Sequence, residues 1–200
     1  MSPSGCMRRF HSLFPIALAL EGLRVLQRQR VLRATAYGSA ALALLSAGVS
    51  AYWTAGGTAL LSTVGGDLEA LARYGGMSAL VLGAGTTAAK LAAVALSLSL
   101  VRPLDRRLAR RLVTHAALAA GALLTVYGSV QIVVGGLALL GMIGEGPADP
   151  TALRWHVMFW DQWFLLWGLL LCTAAKLSLG SSSKRGSRLR RQPPDRVDSP

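Results

Sequence analysis

Four long apolar runs, separated by short charged segments, dominate the pattern of hydrophobic and polar positions in this chain: residues 34–53, 77–101, 113–141 and 155–179. A helix needs about 20 mostly apolar residues to cross a bilayer, so each run is long enough for one crossing. The runs are too long for buried strands, and none shows the alternation of a membrane barrel. Helices then remain as the way to satisfy every backbone N–H and C=O inside lipid. The pattern predicts an all-α fold, an integral-membrane four-helix bundle over residues 34–179.

Charge orients the runs. Residues 1–33 carry six arginines and Glu21, residues 102–112 ("RPLDRRLARRL") carry five arginines and Asp105, and residues 180–200 carry six lysines and arginines against two aspartates. The other two connections hold Arg73 against Asp67 and Glu69, and Arg154 against Glu145 and Asp149. Basic segments stay cytoplasmic. Both termini are therefore expected inside the cell membrane, with residues 54–76 and 142–154 outside. The formal charge of +12 reads as this orientation signal. Its basic residues lie between apolar runs rather than on one face, and no nucleic-acid partner is expected. Composition agrees: 15% of residues are charged, against about 25% in soluble domains.

The first 33 residues begin like a signal peptide, with "RRFHSLFPIALALEG". Glu21 and four arginines follow before Ala34, however, and cleavage would place those arginines outside. Residues 1–33 are expected as an uncleaved basic segment, interfacial or disordered. Leu13, Ile16, Leu20 and Leu23 recur there at helical spacing, opposite Glu21, Arg24 and Arg28. Residues 180–200 lack apolar content and read as a disordered basic tail. The bilayer is the expected partner, with anionic lipid headgroups against the basic tails; a second copy or another membrane protein is an open alternative.

Small residues mark the faces that meet. Thr114, Gly121, Gly128 and Gly135 recur every seven residues, as do Gly83, Lys90 and Ser97, and Asp161, Gly168 and Ala175. Helices in lipid associate through such close-packing stripes, and the shared heptad predicts small crossing angles. Lys90 and Asp161 lie on these stripes and are expected to face the protein interior.

Ionisable residues within spans are functional candidates. Lys90 lies about 20 Å inside its span, Gln131 about 15 Å and Asp161 about 9 Å, at 1.5 Å per residue. Tyr127 is one turn from Gln131. Lys90, Gln131 and Tyr127 are expected to meet near the midplane, with Asp161 as a further partner of Lys90. A register-fixing ion pair, a snorkelling lysine and a ligand, ion or proton site are all open readings. Trp53, Trp163 and Trp167 complete the candidate ligand-binding set, as core packing or as walls of an apolar pocket. His115 and His156 read as interfacial, and Cys172 as a small buried hydrophobe. Neither metal-ligand spacing nor a phosphate-binding glycine motif is present; no metal and no cofactor are expected.

Two blocks carry a resemblance. "AYWTAGG" (residues 51–57) and "LRWHVMFWDQWFLLWGLLL" (residues 153–171) resemble a family of small bacterial four-helix membrane proteins, domain of unknown function 3995. It spans roughly residues 34–179, and it implies an architecture and both blocks at the outer face, but no reaction. It also implies a histidine three residues before Trp53; this chain has Ser50 there, which weakens chemistry built on that histidine. The leading functional reading is a structural or interaction protein. The second is a small-molecule or lipid binding or transport module, with an outward-facing polar pocket around Asp161, Lys90 and Gln131. A membrane-embedded enzyme ranks third.

Overall fold

The structure is a computed structural model that describes the backbone of residues 4–102, 106–144 and 149–189, and the side chains of 20–102, 106–144 and 149–180. The elements are α1 (Ser4–Thr54), a 3-10 turn (Leu61–Thr63), α2 (Gly66–Tyr74), α3 (Gly76–Ser99), α4 (Arg107–Leu139), α5 (Pro150–Trp155), a π turn (His156–Trp160) and α6 (Asp161–Leu189). The described residues contain helices and connections only. Four stretches are long and apolar enough to cross a membrane: Leu20–Thr54, Gly76–Ser99, Arg107–Leu139 and Pro150–Gly180. Leu44, Val81, Leu123, Val130 and Leu166, all on these stretches, are at least half exposed. An apolar outer surface of that kind fits lipid rather than water, and the protein is an all-α membrane helical bundle.

The helices alternate in direction. The C-terminal end of α3 and the N-terminal end of α4 therefore lie with the N-terminal part of α1 and the C-terminal part of α6 at one end, the base. Residues 55–75, 140–144 and 149–155 lie at the other end, the crown. The base is closed by Leu32 and Ala36 of α1, Leu100 after α3, Ala117 of α4, and Leu171 and Ala174 of α6. α1 runs across residue 33 without a break, because residues 23–33 are strong helix formers lacking proline and glycine. Arg28 fixes this part of α1 to α6, donating from Nη2 to the Leu177 carbonyl at 2.9 Å. Similarly, α6 continues past residue 179 to Leu189; residues 190–200 of the expected disordered tail, and the side chains of 1–19, lie outside the described residues.

The glycine heptad on α4 is the tightest seam. Thr114, Ala117, Gly121, Gly128 and Gly135 are all buried. A Cβ added at Gly128 would stand 2.7 Å from the Leu165 nitrogen, and one at Gly168 would stand 2.6 Å from the Thr125 nitrogen. Missing side chains thus let the α4 and α6 backbones touch, which gives the dispersion contact that drives helix association in lipid. α1 buries Ser39, Ala43, Ser46 and Ser50 along one stripe. α3 packs on that stripe: Ser39 and Ser97 share a hydrogen bond at 3.0 Å. Most of α3 beyond this contact is exposed; Ser97 is its buried residue.

Candidate functional site

The crown is held together by hydrogen bonds from aromatic side chains. Trp53, near the end of α1, donates from Nε1 to the Ala59 carbonyl at 2.8 Å. Trp160 donates from Nε1 to Thr63 Oγ1 at 3.1 Å. The two indoles meet edge to face with centroids 5.7 Å apart. Leu61 is 2% exposed. Gly65 has φ +63, and a Cβ there would stand 2.6 Å from Ala152 Cβ, so the 55–65 loop lies directly on α5. On the other side, Asp149 caps α5. Its Oδ1 accepts from the Thr151 and Ala152 nitrogens at 2.9 Å each, with Pro150 in the first turn.

Between α5 and α6 the helix widens by one residue per turn. The Asp161 N–H donates to the His156 carbonyl, the five-residue bond of a π turn, a feature frequent at functional sites. In a straight α-helix, residues five apart point about 140° away from each other. The π turn brings them onto one face. His156 Nδ1 stands 3.5 Å from Asp161 Oδ1, and His156 Nε2 is 2.9 Å from the Val64 carbonyl. A backbone carbonyl only accepts, so Nε2 carries the hydrogen. His156 is therefore the strut that joins the crown loop to the acid.

Asp161 is 2% exposed. Its Oδ1 is buried and accepts no hydrogen bond. Asp161 lines a cavity of about 240 Å³ with His156, Leu153, Gln131, Val134 and Ala138. Gly135 also lines this cavity, and its absent side chain lets Val157 of the π turn pack directly on α4: a Cβ there would stand 2.6 Å from Val157 Cγ2. The Tyr127 hydroxyl sits against Gln131, within the electrostatic reach of Asp161. A larger hollow of about 510 Å³ beside α2 is a surface feature: it is lined by that one helix, none of whose residues is buried.

Not every candidate converges on this cavity. Lys90 turns to α1 instead of Gln131 and Tyr127, donating to Ser50 Oγ at 2.6 Å and to the Ser46 carbonyl at 3.3 Å. Two ion pairs form among the described residues, Arg73–Glu69 and His156–Asp161, and Lys90 belongs to neither. The reason is packing: α3 rests on α1, so the inward face of α3 meets the α1 serine stripe. Trp163 also reaches α1, donating to the Leu42 carbonyl at 3.3 Å. Trp167 is 3% exposed and stacks on Phe164 with centroids 6.3 Å apart, while Tyr127 meets Phe164 edge on at 5.5 Å. These rings pack the α4–α6 interface below the cavity.

The sequence model of the family described as "Protein of unknown function (DUF3995)" matches residues 42–171. The chain belongs to this family. No curated protein and no solved structure matches it. The DUF3995 domain thus begins at the Trp163 acceptor Leu42 and ends in the base core at Leu171. It contains Ser50, Trp53, Lys90, Tyr127, Gln131 and the whole π turn. Sequence reasoning missed His156 as the partner of Asp161. The spacing hid it: five residues is the wrong interval for one face of an α-helix. A signal was available in "RWHVMFWDQW" (residues 154–163), where bulky aromatic and branched residues crowd a helix start beside an inward acid. In this chain Ser50 serves as the hydroxyl acceptor for Lys90.

Proposed function

We propose that this DUF3995 protein is a small-molecule binding module of a bacterial cell membrane, with its binding pocket at the crown and both termini cytoplasmic. One observation carries the reading: Asp161, almost fully buried and set against His156, lines a cavity of about 240 Å³ together with His156 and Gln131. A few polar side chains on an otherwise apolar concavity are the usual anchors of a small-molecule site. The charge pattern supports the orientation, because the basic segments fall at the base and the few acidic ones at the crown. The Asp161 pocket then opens at the outer face.

A second reading, a structural or interaction protein, draws support from α3, whose surface away from α1 is exposed and apolar. Retained mass separates the two. After extraction in mild detergent, native mass spectrometry of the wild type is expected to show an added small molecule that Asp161→Leu lacks. Equal spectra for both proteins, with Asp161→Leu folded, would leave the structural reading.

A further inference from the structure

The crown loop is tied to the π turn through an imidazole that stands between two acceptors. His156 Nε2 is 2.9 Å from the Val64 carbonyl, and its Nδ1 is 3.5 Å from Asp161 Oδ1. Among the described residues, Asp161 Oδ1 meets no other donor. A ring with both nitrogens protonated serves both partners; a neutral ring has one N–H and serves one of them. We infer that His156 is a proton-operated latch: in its charged form it ties residues 59–65 to the π turn, and on losing one proton to water it lets that loop go. The latch operates whether or not the cavity beside it holds a molecule.

Which bond is lost follows from the two acceptors. Val64 offers a neutral carbonyl. Asp161 offers a buried carboxylate oxygen, and an N–H is held more strongly by an ionised acceptor than by a neutral one. A ring lone pair turned toward that carboxylate is the costlier arrangement, so the hydrogen left on the neutral ring sits at Nδ1. Nε2 then presents its lone pair to the Val64 oxygen, and the two repel. The proton leaves through the ring, because the His156 side chain is 28% exposed against 2% for Asp161. Imidazole is also the side chain whose charge ordinarily changes between about pH 5 and pH 8.

The other ionisable groups around the ring leave the proton to it. Tyr127 of α4 sits against Gln131. On α5, Arg154 is exposed, and Asp149 at its start is engaged by the Thr151 and Ala152 nitrogens. On α2, Glu69 pairs with Arg73 at 2.7 Å and Asp67 is exposed. Tyr52 of α1 takes the Ala59 N–H at 3.4 Å, and Lys90 of α3 is held by Ser50 and Ser46. Residues 55–65 carry no ionisable side chain. The loop keeps its other holds, Trp160 Nε1 on Thr63 Oγ1 and Gly65 against Ala152, so releasing Val64 loosens it without unfolding the crown.

Two measurements on the full-length protein in phosphatidylcholine nanodiscs, from about pH 5 to about pH 9 to bracket imidazole titration, test the latch. Nitrogen NMR of histidine-labelled protein reads the ring, with the His156 signals assigned by their loss in His156→Leu. Both ring nitrogens should carry hydrogen at the acid end, and Nδ1 alone at the alkaline end. Hydrogen exchange, corrected for the intrinsic rate at each pH, reads the loop. The amides of Leu61, Thr63 and Val64 are bonded within the loop. Their protection should fall at least about tenfold over the pH step that deprotonates the ring, as loss of a bond from a charged donor implies. Asp161→Asn separates a latch from plain packing. With no carboxylate to draw it to Nδ1, the hydrogen of the neutral ring stays at Nε2 on Val64, so at alkaline pH the variant should protect the loop better than wild type does. A ring that keeps both hydrogens throughout, a neutral wild-type ring with its hydrogen at Nε2, or loop protection that ignores the ring's step overturns the latch. The wild-type titration needs no variant, so misfolding of Asp161→Asn does not blunt the test.

Discussion

Asp161 and His156 are joined twice across one π turn: the Asp161 N–H donates to the His156 carbonyl, and His156 Nδ1 stands 3.5 Å from Asp161 Oδ1. The backbone bond creates the side-chain pair, because only a five-residue turn stacks these two positions. The aromatic rings held in the same turn, Phe159 and Trp160, meet edge to face at 5.2 Å, and Trp160 ties the turn to the crown loop.

His156→Leu should remove the strut while the backbone bond from the Asp161 N–H to the His156 carbonyl stays in place. Helix content by circular dichroism should stay near wild type. Hydrogen exchange at residues 59–65 should speed up, because the Val64 carbonyl loses its donor. Unchanged exchange in that loop would show that His156 does not position it.

Gly128 and Gly136 make a matched pair on α4. A Cβ at Gly128 would meet the Leu165 nitrogen at 2.7 Å and the Asp161 carbonyl at 2.8 Å, whereas one at Gly136 meets nothing within 4 Å. Gly128→Ala forces two backbones apart and is expected to cost about 1–3 kcal/mol, the range for overpacking. Gly136→Ala should be neutral or stabilising by up to about 1 kcal/mol, since alanine is the better helix former. Thermal unfolding in detergent reads both, and equal midpoints would contradict the α4–α6 seam.

Lys90→Met separates the lysine from the pocket. A charge in mid-span costs at least about 2.5–3.5 kcal/mol on insertion scales, and Lys90 has neutral partners, Ser50 Oγ and the Ser46 carbonyl. The variant should insert as well as wild type, hold equal or higher thermal stability, and keep the small molecule that native mass spectrometry finds on the wild type, as expected of sites that do not share partners. Loss of binding on this substitution would bring Lys90 into the site after all.

Much of the architecture was legible in the chain. The glycine heptad at Gly121, Gly128 and Gly135 announced the α4 face that is buried, and the same stripe logic placed Asp161 inside. Lys90 shows the boundary. Its heptad told which face of α3 turns inward but not which helix that face meets, and the partner proved to be the α1 serine stripe rather than Gln131 and Tyr127. The α2 helix was also hidden, since eight residues between two glycine pairs read as a loop.

The sequence alone determined the spans, because transfer into lipid depends on local composition and length, and it determined the packing faces, because side-chain volume is a property of each residue. The His156–Asp161 pair, its strut to Val64 and the cavity with Gln131 were decided by tertiary structure. They require a π turn, whose single inserted residue changes which side chains share a face, and three positions at least 25 residues apart, Val64, Gln131 and His156, brought together. No pattern read along one helix holds that information, since hydrogen-bond partners are selected only once the helices stand side by side.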